Sequence, residues 1–239
     1  MKRAIVVGAS SGIGEALALV LSREGYAVGL TGRRVDRLEA LRARAPGPAH
    51  VKFMDLARQE EAMAALEELI GEMGGADLIV INAGVRHPNP EGEWEKERST
   101  IEINVSGFAA AAGVAMDYFL ARGGGHIVGI YSVAAHRGSD TAHAYSASKA
   151  FVSNYMEGLR KKAVGRKIPL AVTDVRPGFV DTEMIEAIKG LFWVSTPEKA
   201  ARQIFSAIRR RKKRVYITRR WRLAGWLLRW APDWIYYRV

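Results

Sequence analysis

Ala4-Ile5-Val6-Val7-Gly8-Ala9-Ser10-Ser11-Gly12-Ile13-Gly14 is the stretch that decides how the rest of the chain is read. Its first four residues are apolar and mostly β-branched, which suits a short buried strand. Three glycines then turn the chain toward a helix running from Glu15 to Glu24. Glycine permits a tight turn and a close approach of backbone to a pyrophosphate. A helix N-terminus adds unbonded N–H groups and the positive end of its dipole. The spacing is Gly-x-x-x-Gly-x-Gly, not the Gly-x-Gly-x-x-Gly of many dinucleotide sites. Taken alone it reads equally as a bare strand-to-helix turn. Its place after the first strand of a repeating pattern tips the reading toward phosphate.

That pattern is β-α alternation. Strands are predicted at Ala4–Val7, Ala27–Thr31, His50–Met54, Leu78–Ile81, His126–Ile130, Leu170–Val175 and Val215–Thr218. Helical spacing marks Leu38–Ala45, Glu60–Met73, Ala144–Ala163 and Pro197–Arg210. Several strands are continuous apolar runs, as expected when both faces are covered. Such alternation implies parallel strands joined by right-handed crossovers, and so an α/β fold. Val85–Glu97, with two prolines and a glycine, reads as a loop leading into a helix. Phe108–Ala121, interrupted by Asp117 and short of a membrane span, reads as a buried helix. No repeat or low-complexity linker divides the chain. A single domain over 1–218 is expected, followed by a basic, aromatic tail over 219–239.

The 239 residues suffice for one such domain with a sizeable core. The absence of cysteine excludes disulfides, thiolate metal sites and a cysteine nucleophile, and it fits a reducing cytoplasm. The apolar run after Met1-Lys2-Arg3 is too short for a signal-peptide core. A cytoplasmic location is therefore expected. His50, His87, His126, His136 and His143 are scattered without metal-ligand spacing, so no metal is expected. His136 and His143 flank the segment around Tyr145 and read as ordinary loop residues. The net charge of +11 is uneven. From Lys199 onward 13 Lys and Arg face one acid, Asp233, while the first 198 residues hold 23 basic and 24 acidic residues.

The second strand ends at Thr31-Gly32-Arg33-Arg34, where an NAD site usually carries an acid for the ribose 2′-hydroxyl. Arginine instead suits a 2′-phosphate, through charge-assisted hydrogen bonds. Arg33 and Arg34 thus point to NADP(H), against the plainer reading that both are solvated. Asp36 reads as part of the helix start. Tyr145 and Lys149, four apart on a predicted helix, share one face. A phenol titrates at about 10 unperturbed, and a neighbouring ammonium should lower that value. Tyrosine would then exchange protons near neutral pH. Ser132 follows a strand end, where open α/β sheets place their ligands, and could hydrogen-bond a substrate oxygen.

These residues carry a resemblance. Gly8 to Gly14 is followed in order by Asn82-Ala83-Gly84, by Asn104-Val105 with Gly107, and by Ser132. Tyr145-Ser146-Ala147-Ser148-Lys149 comes next, then Arg176-Pro177-Gly178 with Thr182. From Met1 to about Thr218 the chain resembles the short-chain dehydrogenase/reductase family. The resemblance implies a Rossmann-like, doubly wound parallel sheet of about seven strands. It implies an NADP(H)-dependent oxidoreductase that reduces a carbonyl to an alcohol, or the reverse. Tyr145 would be the acid/base. Lys149 would lower its pKa and hold the nicotinamide ribose, Ser132 would orient the substrate, and Asn104 would support a water beside Lys149. Gly8, Ser10, Ser11, Gly12, Ile13 and Gly14 would cradle the pyrophosphate. Asp55 and Leu56 match positions near the adenine, and Asn82, Ala83 and Gly84 would lie beside the cofactor. Pro177, Gly178, Val180 and Thr182 would contact the nicotinamide end. Two departures stand out: Val7 replaces a frequent threonine, and Tyr131 replaces a small residue and either narrows the pocket or packs in the core. A homodimer or homotetramer is expected.

The segment 183–195 falls where the family has its substrate lid, and its Met, Ile, Leu, Phe and Trp suit an apolar ketone or ketoacyl substrate. In the tail, Arg222 and Arg229 share a helical stripe, and Trp221, Leu223, Leu227, Leu228 and Trp230 cover much of the rest. With the basic run Arg209–Arg214 this suits peripheral contact of 209–230 with the inner face of a membrane. A helix packed on a partner subunit, or closing the protein's own pocket, is the alternative. No nucleic-acid module is present. The competing class is a non-enzymatic NADP-binding regulator or scaffold.

Overall fold

The strand before the glycine turn becomes the centre of the sheet. In the computed structural model, which describes residues 1–185 and 190–237 without the side chains of Leu228, Arg229 and Ile235, seven strands form. They are β1 (Lys2–Val7), β2 (Tyr26–Gly32), β3 (Ala49–Phe53), β4 (Leu78–Ile81), β5 (Gly125–Ile130), β6 (Leu170–Pro177) and β7 (Arg214–Ile217). Their order is β3-β2-β1-β4-β5-β6-β7, and every pairing is parallel. The predicted strands all form, with ends set by their neighbours. Thus β3 starts at Ala49 because Ala49 pairs with Val28, and β7 stops at Ile217 opposite Pro177.

Alternation along each strand sends side chains to two cores. Ile5, Val7, Ile79 and Ile127 face one layer, made by α3 (Gln59–Glu72), α5 (Phe108–Arg122) and α6 (His143–Gly165). Ala4, Val6, Val80 and Val128 face the other, made by α1 (Gly12–Arg23), α2 (Val35–Arg44) and α7 (Pro197–Arg209). The last of these starts where sequence chemistry says it should. Thr196 accepts from the Lys199 N–H, and Pro197 occupies the first turn.

The predicted loop after Val85 is shorter than expected, because α4 (Trp94–Ile101) begins inside it. One π-helical turn, Glu102–Gly107, joins α4 to α5. The continuous helix Trp94–Arg122 is long and apolar enough to cross a membrane. However, 56% of its most apolar window is buried, and Phe108, Ala112 and Phe119 pack against the sheet. It is the core helix of the α3-side layer. The chain closes with α8 (Trp221–Trp230) and α9 (Asp233–Tyr236). Four residues of the predicted lid, 186–189, lie outside the described residues, as do the side chain of Arg229 and residues 238–239.

The strand order reverses between β1 and β4. In a parallel sheet this opens a crevice at the carboxyl ends, where the helices on either side of the reversal depart in opposite directions.

Candidate active site

At the β1 end of the crevice the glycine turn brings backbone into close contact with its neighbours. Gly8 (φ +86°) and Gly12 (φ +58°) adopt the left-handed conformation that other residues avoid. A methyl on Gly8 would lie 2.6 Å from the Ala83 Cα, and one on Gly12 would lie 2.8 Å from the Thr182 methyl. The Asn82 amide donates to the Gly8 carbonyl at 2.7 Å, tying the β4 end to the turn. Ser11 occupies the cap position of α1 but its side chain does not cap it. Its hydroxyl instead accepts from the Arg34 guanidinium at 2.6 Å. Among the described residues the first-turn N–H groups of α1 therefore have no side-chain acceptor and remain available to an anion.

The two arginines after β2 separate in role. Arg34 donates to Ser10 and Ser11 and pairs with Glu183 at 2.8 Å. Arg37 also pairs with Glu183. The hydrogen bonds from Arg37 and Arg34 hold the Glu183 carboxyl down at about 2. Arg33 is exposed beside the crevice and, among the described residues, has no ion-pair partner.

Asn104 sits buried in the π-helical turn. It grips Val85 from both sides, accepting from its N–H and donating to its carbonyl, each at 2.8 Å. It also donates to the Ser148 hydroxyl at 3.1 Å. This fastens the β4 loop to α6. A methyl on Gly84 would fall 2.9 Å from the Lys149 ammonium and 3.1 Å from the Asn104 oxygen, so glycine makes room for both.

Tyr145 and Lys149 share the face that the i, i+4 spacing assigned them. The Lys149 ammonium lies 5.6 Å from the centre of the Tyr145 ring. The direction of the phenol's shift is the reverse of the expected one. Burial raises the Tyr145 pKa, and the Ser132 hydrogen bond and the Arg86 charge only partly oppose it. Burial also lowers Lys149, to about 8. Desolvation is the largest influence on both groups, and the Lys149 ammonium is not among the charges that act on the phenol. The Tyr145 hydroxyl points toward the Met184 sulfur, 3.8 Å away.

These groups line one cavity of about 640 Å³. Gly8, Ser10, Ser11, Gly12, Ile13, Arg33, Arg34, Asp55 and Leu56 line its β1–β3 side, with Asn82, Ala83 and Gly84 in the middle. Ser132, Tyr145, Lys149, Pro177, Gly178, Val180 and Thr182 line the rest. Of the residues expected to act in catalysis or hold the cofactor, Gly14 and Asn104 do not line it. Gly14 has the Gly8 carbonyl and the Asn82 amide against it. The profile of the short chain dehydrogenases matches residues 2–190.

The chain belongs to the short chain dehydrogenase family. Members of this family are oxidoreductases that act between CH–OH and C=O with a nicotinamide cofactor. An uncharacterized oxidoreductase of Myxococcus xanthus is 40% identical over 188 residues, covering 77% of this chain and 74% of that protein. The glycine betaine reductase of Emericella nidulans is 34% identical over 87% of this chain, which spans only 18% of that protein's length. Among solved structures, a short-chain dehydrogenase from Sphingobium yanoikuyae in complex with NADPH superposes with a TM-score of 0.81 at 24% identity. The overlap covers 94% of this chain and 92% of that one. One from Mycobacterium marinum also gives 0.81 at 24% identity, covering 90% and 93%.

This dehydrogenase's crevice fits a dinucleotide on its own geometry. The uncapped α1 terminus and the Gly8–Gly12 cradle suit a pyrophosphate, and the long cavity joins them to Tyr145. Some lining residues had no signal in the sequence. Arg86, His87 and Phe179 enter because the loops after β4 and β6 converge on the cavity, and Met184 comes from the segment expected as the lid. His136 and His143 do not line it; His136 stacks on Tyr216 instead. Tyr131 does both things foreseen for it. It is 3% exposed, with Arg176 over its ring at 5.0 Å, and one edge borders the cavity. Among the described residues no grouping of three His, Asp or Glu is placed to hold a metal ion.

Proposed function

We propose that this dehydrogenase reduces an apolar ketone or ketoacyl compound with NADPH, and that Tyr145 is its proton donor. The convergence of Tyr145, Lys149 and Ser132 on the cavity that also holds the glycine turn carries the reading. Because burial raises its pKa, Tyr145 is a neutral phenol at physiological pH, ready to donate to a carbonyl oxygen. The Ser132 hydroxyl orients that oxygen. Lys149, with a pKa of about 8, is largely cationic at neutral pH and steadies the negative charge that develops beside it. Arg86 adds a second positive charge. When bound, the nicotinamide supplies the hydride.

Cofactor choice rests on Arg33, the cation at the end of β2 that no carboxylate engages among the described residues. Gly8 to Gly14 hold the pyrophosphate, Asp55 and Leu56 flank the adenine, and Pro177, Gly178, Val180 and Thr182 hold the nicotinamide end. Phe179, Met184 and Ile185 present an apolar wall to the substrate. Residues 1–218 form the catalytic body and 219–239 an added element. The reading places the enzyme in the cytoplasm, which the lack of cysteine suits. It also makes the enzyme a homodimer or homotetramer, as oligomers are frequent in the family.

Fluorescence titration with NADPH and NADH, paired with turnover on a ketone panel, tests this. NADPH should bind more tightly, and Arg33→Ala should lose that preference. Tyr145→Phe should keep NADPH binding while turnover drops by about 10²- to 10⁴-fold. Equal binding of NADH by the native enzyme overturns the role of Arg33. Undiminished turnover in Tyr145→Phe overturns the chemistry.

A further inference from the structure

The tail is fastened at its root and bare along its outer face. Trp221 is 3% exposed and stacks on Phe192 with ring centres 5.2 Å apart, and Phe179 meets the same indole edge-on. One helical turn on, Gly225 fits against His136 and Tyr216. Arg137 then pairs with Asp233 at 2.7 Å and lies over the Tyr236 ring. These contacts fix which side of α8 turns outward. Leu223, Trp226, Leu227, Trp230 and Trp234 are each more than half exposed, with Trp230 at 69%. Phe192, Trp193 and Val194 continue the apolar surface toward the cavity wall at Phe179.

Beside this surface stand Arg219, Arg220 and Arg222, all exposed. Among the described residues none of them has a carboxylate partner, and Asp233, the tail's single acid, is taken by Arg137. They crowd the N-terminal end of α8, whose first turn contains no acid. Cations there oppose the helix dipole, so they do not serve the helix's own stability. An anionic surface would satisfy both the arginines and the dipole. A second copy in a two-fold contact would instead bring two sets of arginines together.

We propose that α8 and α9 form a docking face for an anionic lipid bilayer, with the aromatic side chains seated at the interface and Arg219, Arg220 and Arg222 on the headgroups. The face excludes the basic run that precedes β7. In a parallel sheet Arg209–Lys213 lie at the amino end of β7 and α8 lies at its carboxyl end, roughly 13 Å of strand away. Docking in this pose turns the apolar rim of the cavity toward the bilayer. Lipid binding itself is independent of the cofactor and substrate assigned above, and its readout needs neither.

Co-sedimentation of the full chain with phosphatidylcholine vesicles, with and without phosphatidylserine, tests the proposal. The native protein should pellet with the serine-lipid vesicles, less so at high salt, and its tryptophan emission should shift to the blue. Arg219→Gln/Arg220→Gln/Arg222→Gln should weaken binding on the order of 100-fold, at about tenfold for each 1.4 kcal/mol. Arg210→Gln/Lys212→Gln/Lys213→Gln, which removes equal charge at the other end of β7, should change it little. Trp226→Ser/Leu227→Ser/Trp230→Ser should abolish binding while circular dichroism is unchanged. No pelleting of the native protein overturns the proposal. Equal losses in the two charge variants overturn it as well, by reducing the effect to net charge. Self-association abolished by the Trp226 variant without any lipid binding gives the face to a second copy.

Discussion

At the glycine turn, a methyl on Gly14 would collide with the Gly8 carbonyl, which is backbone held by the Asn82 amide. At the opposite wall, a methyl on Gly178 would collide with the Trp221 indole, a side chain delivered by α8. Both glycines are required by close approach, yet the first obstacle cannot move and the second can be removed. The obstacle at Gly14 is backbone from its own turn, although Asn82 braces it from β4. The far wall is made by segments that meet only when the chain is folded.

Substitutions can break this contrast. Gly14→Ala should have the largest effect, with loss of cofactor binding and destabilisation of about 3 kcal/mol or more, because no neighbour can yield. Urea unfolding and NADPH titration would measure both, and near-native values would show that the turn relaxes after all. Gly178→Ala should cost about 1–3 kcal/mol and Trp221→Ala about 3–5 kcal/mol. The double variant should cost less than their sum, since each change removes the other's clash or void. Strict additivity in the urea cycle would deny that the two residues share one site.

Next comes the pH profile. Tyr145 is raised and Lys149 lowered to about 8, so reduction should hold steady near neutrality and fall as pH rises through that value, when Lys149 loses its charge. A rate that climbs on the alkaline side would mean the phenolate is the active form. Glu183→Gln should have the smallest effect. It releases Arg34 and Arg37 from an exposed pairing, so NADPH affinity should rise by no more than about fivefold, and only at low salt. A fall in affinity would assign Glu183 to binding rather than competition.

Much of the site was legible because local rules place it. Tyr145 and Lys149 share a face by helical period, Ser132 follows a strand end, and Gly8 and Gly12 take conformations that glycine alone favours. The sign of the Tyr145 shift was not legible. Charge spacing can be read along a helix, but burial depends on what packs over it. Arg33 and Arg34 looked equivalent until Glu183, far along the chain, engaged one and left the other. The basic run and the tail looked like one patch, yet β7 holds them at opposite ends of the sheet edge.

By itself the sequence determined the alternation of strands and helices, the phosphate-type turn, the family and the set of polar groups that meet in the crevice. Each of these follows from backbone preference and apolar periodicity, which act over a few residues. The tertiary structure alone decided which arginine at the crevice has no ion-pair partner among the described residues, in which direction burial moves Tyr145, and that Trp221 packs behind Gly178 while α8 turns its other side outward. Those outcomes depend on desolvation and on contacts between distant segments, and neither exists until the sheet has brought those segments together.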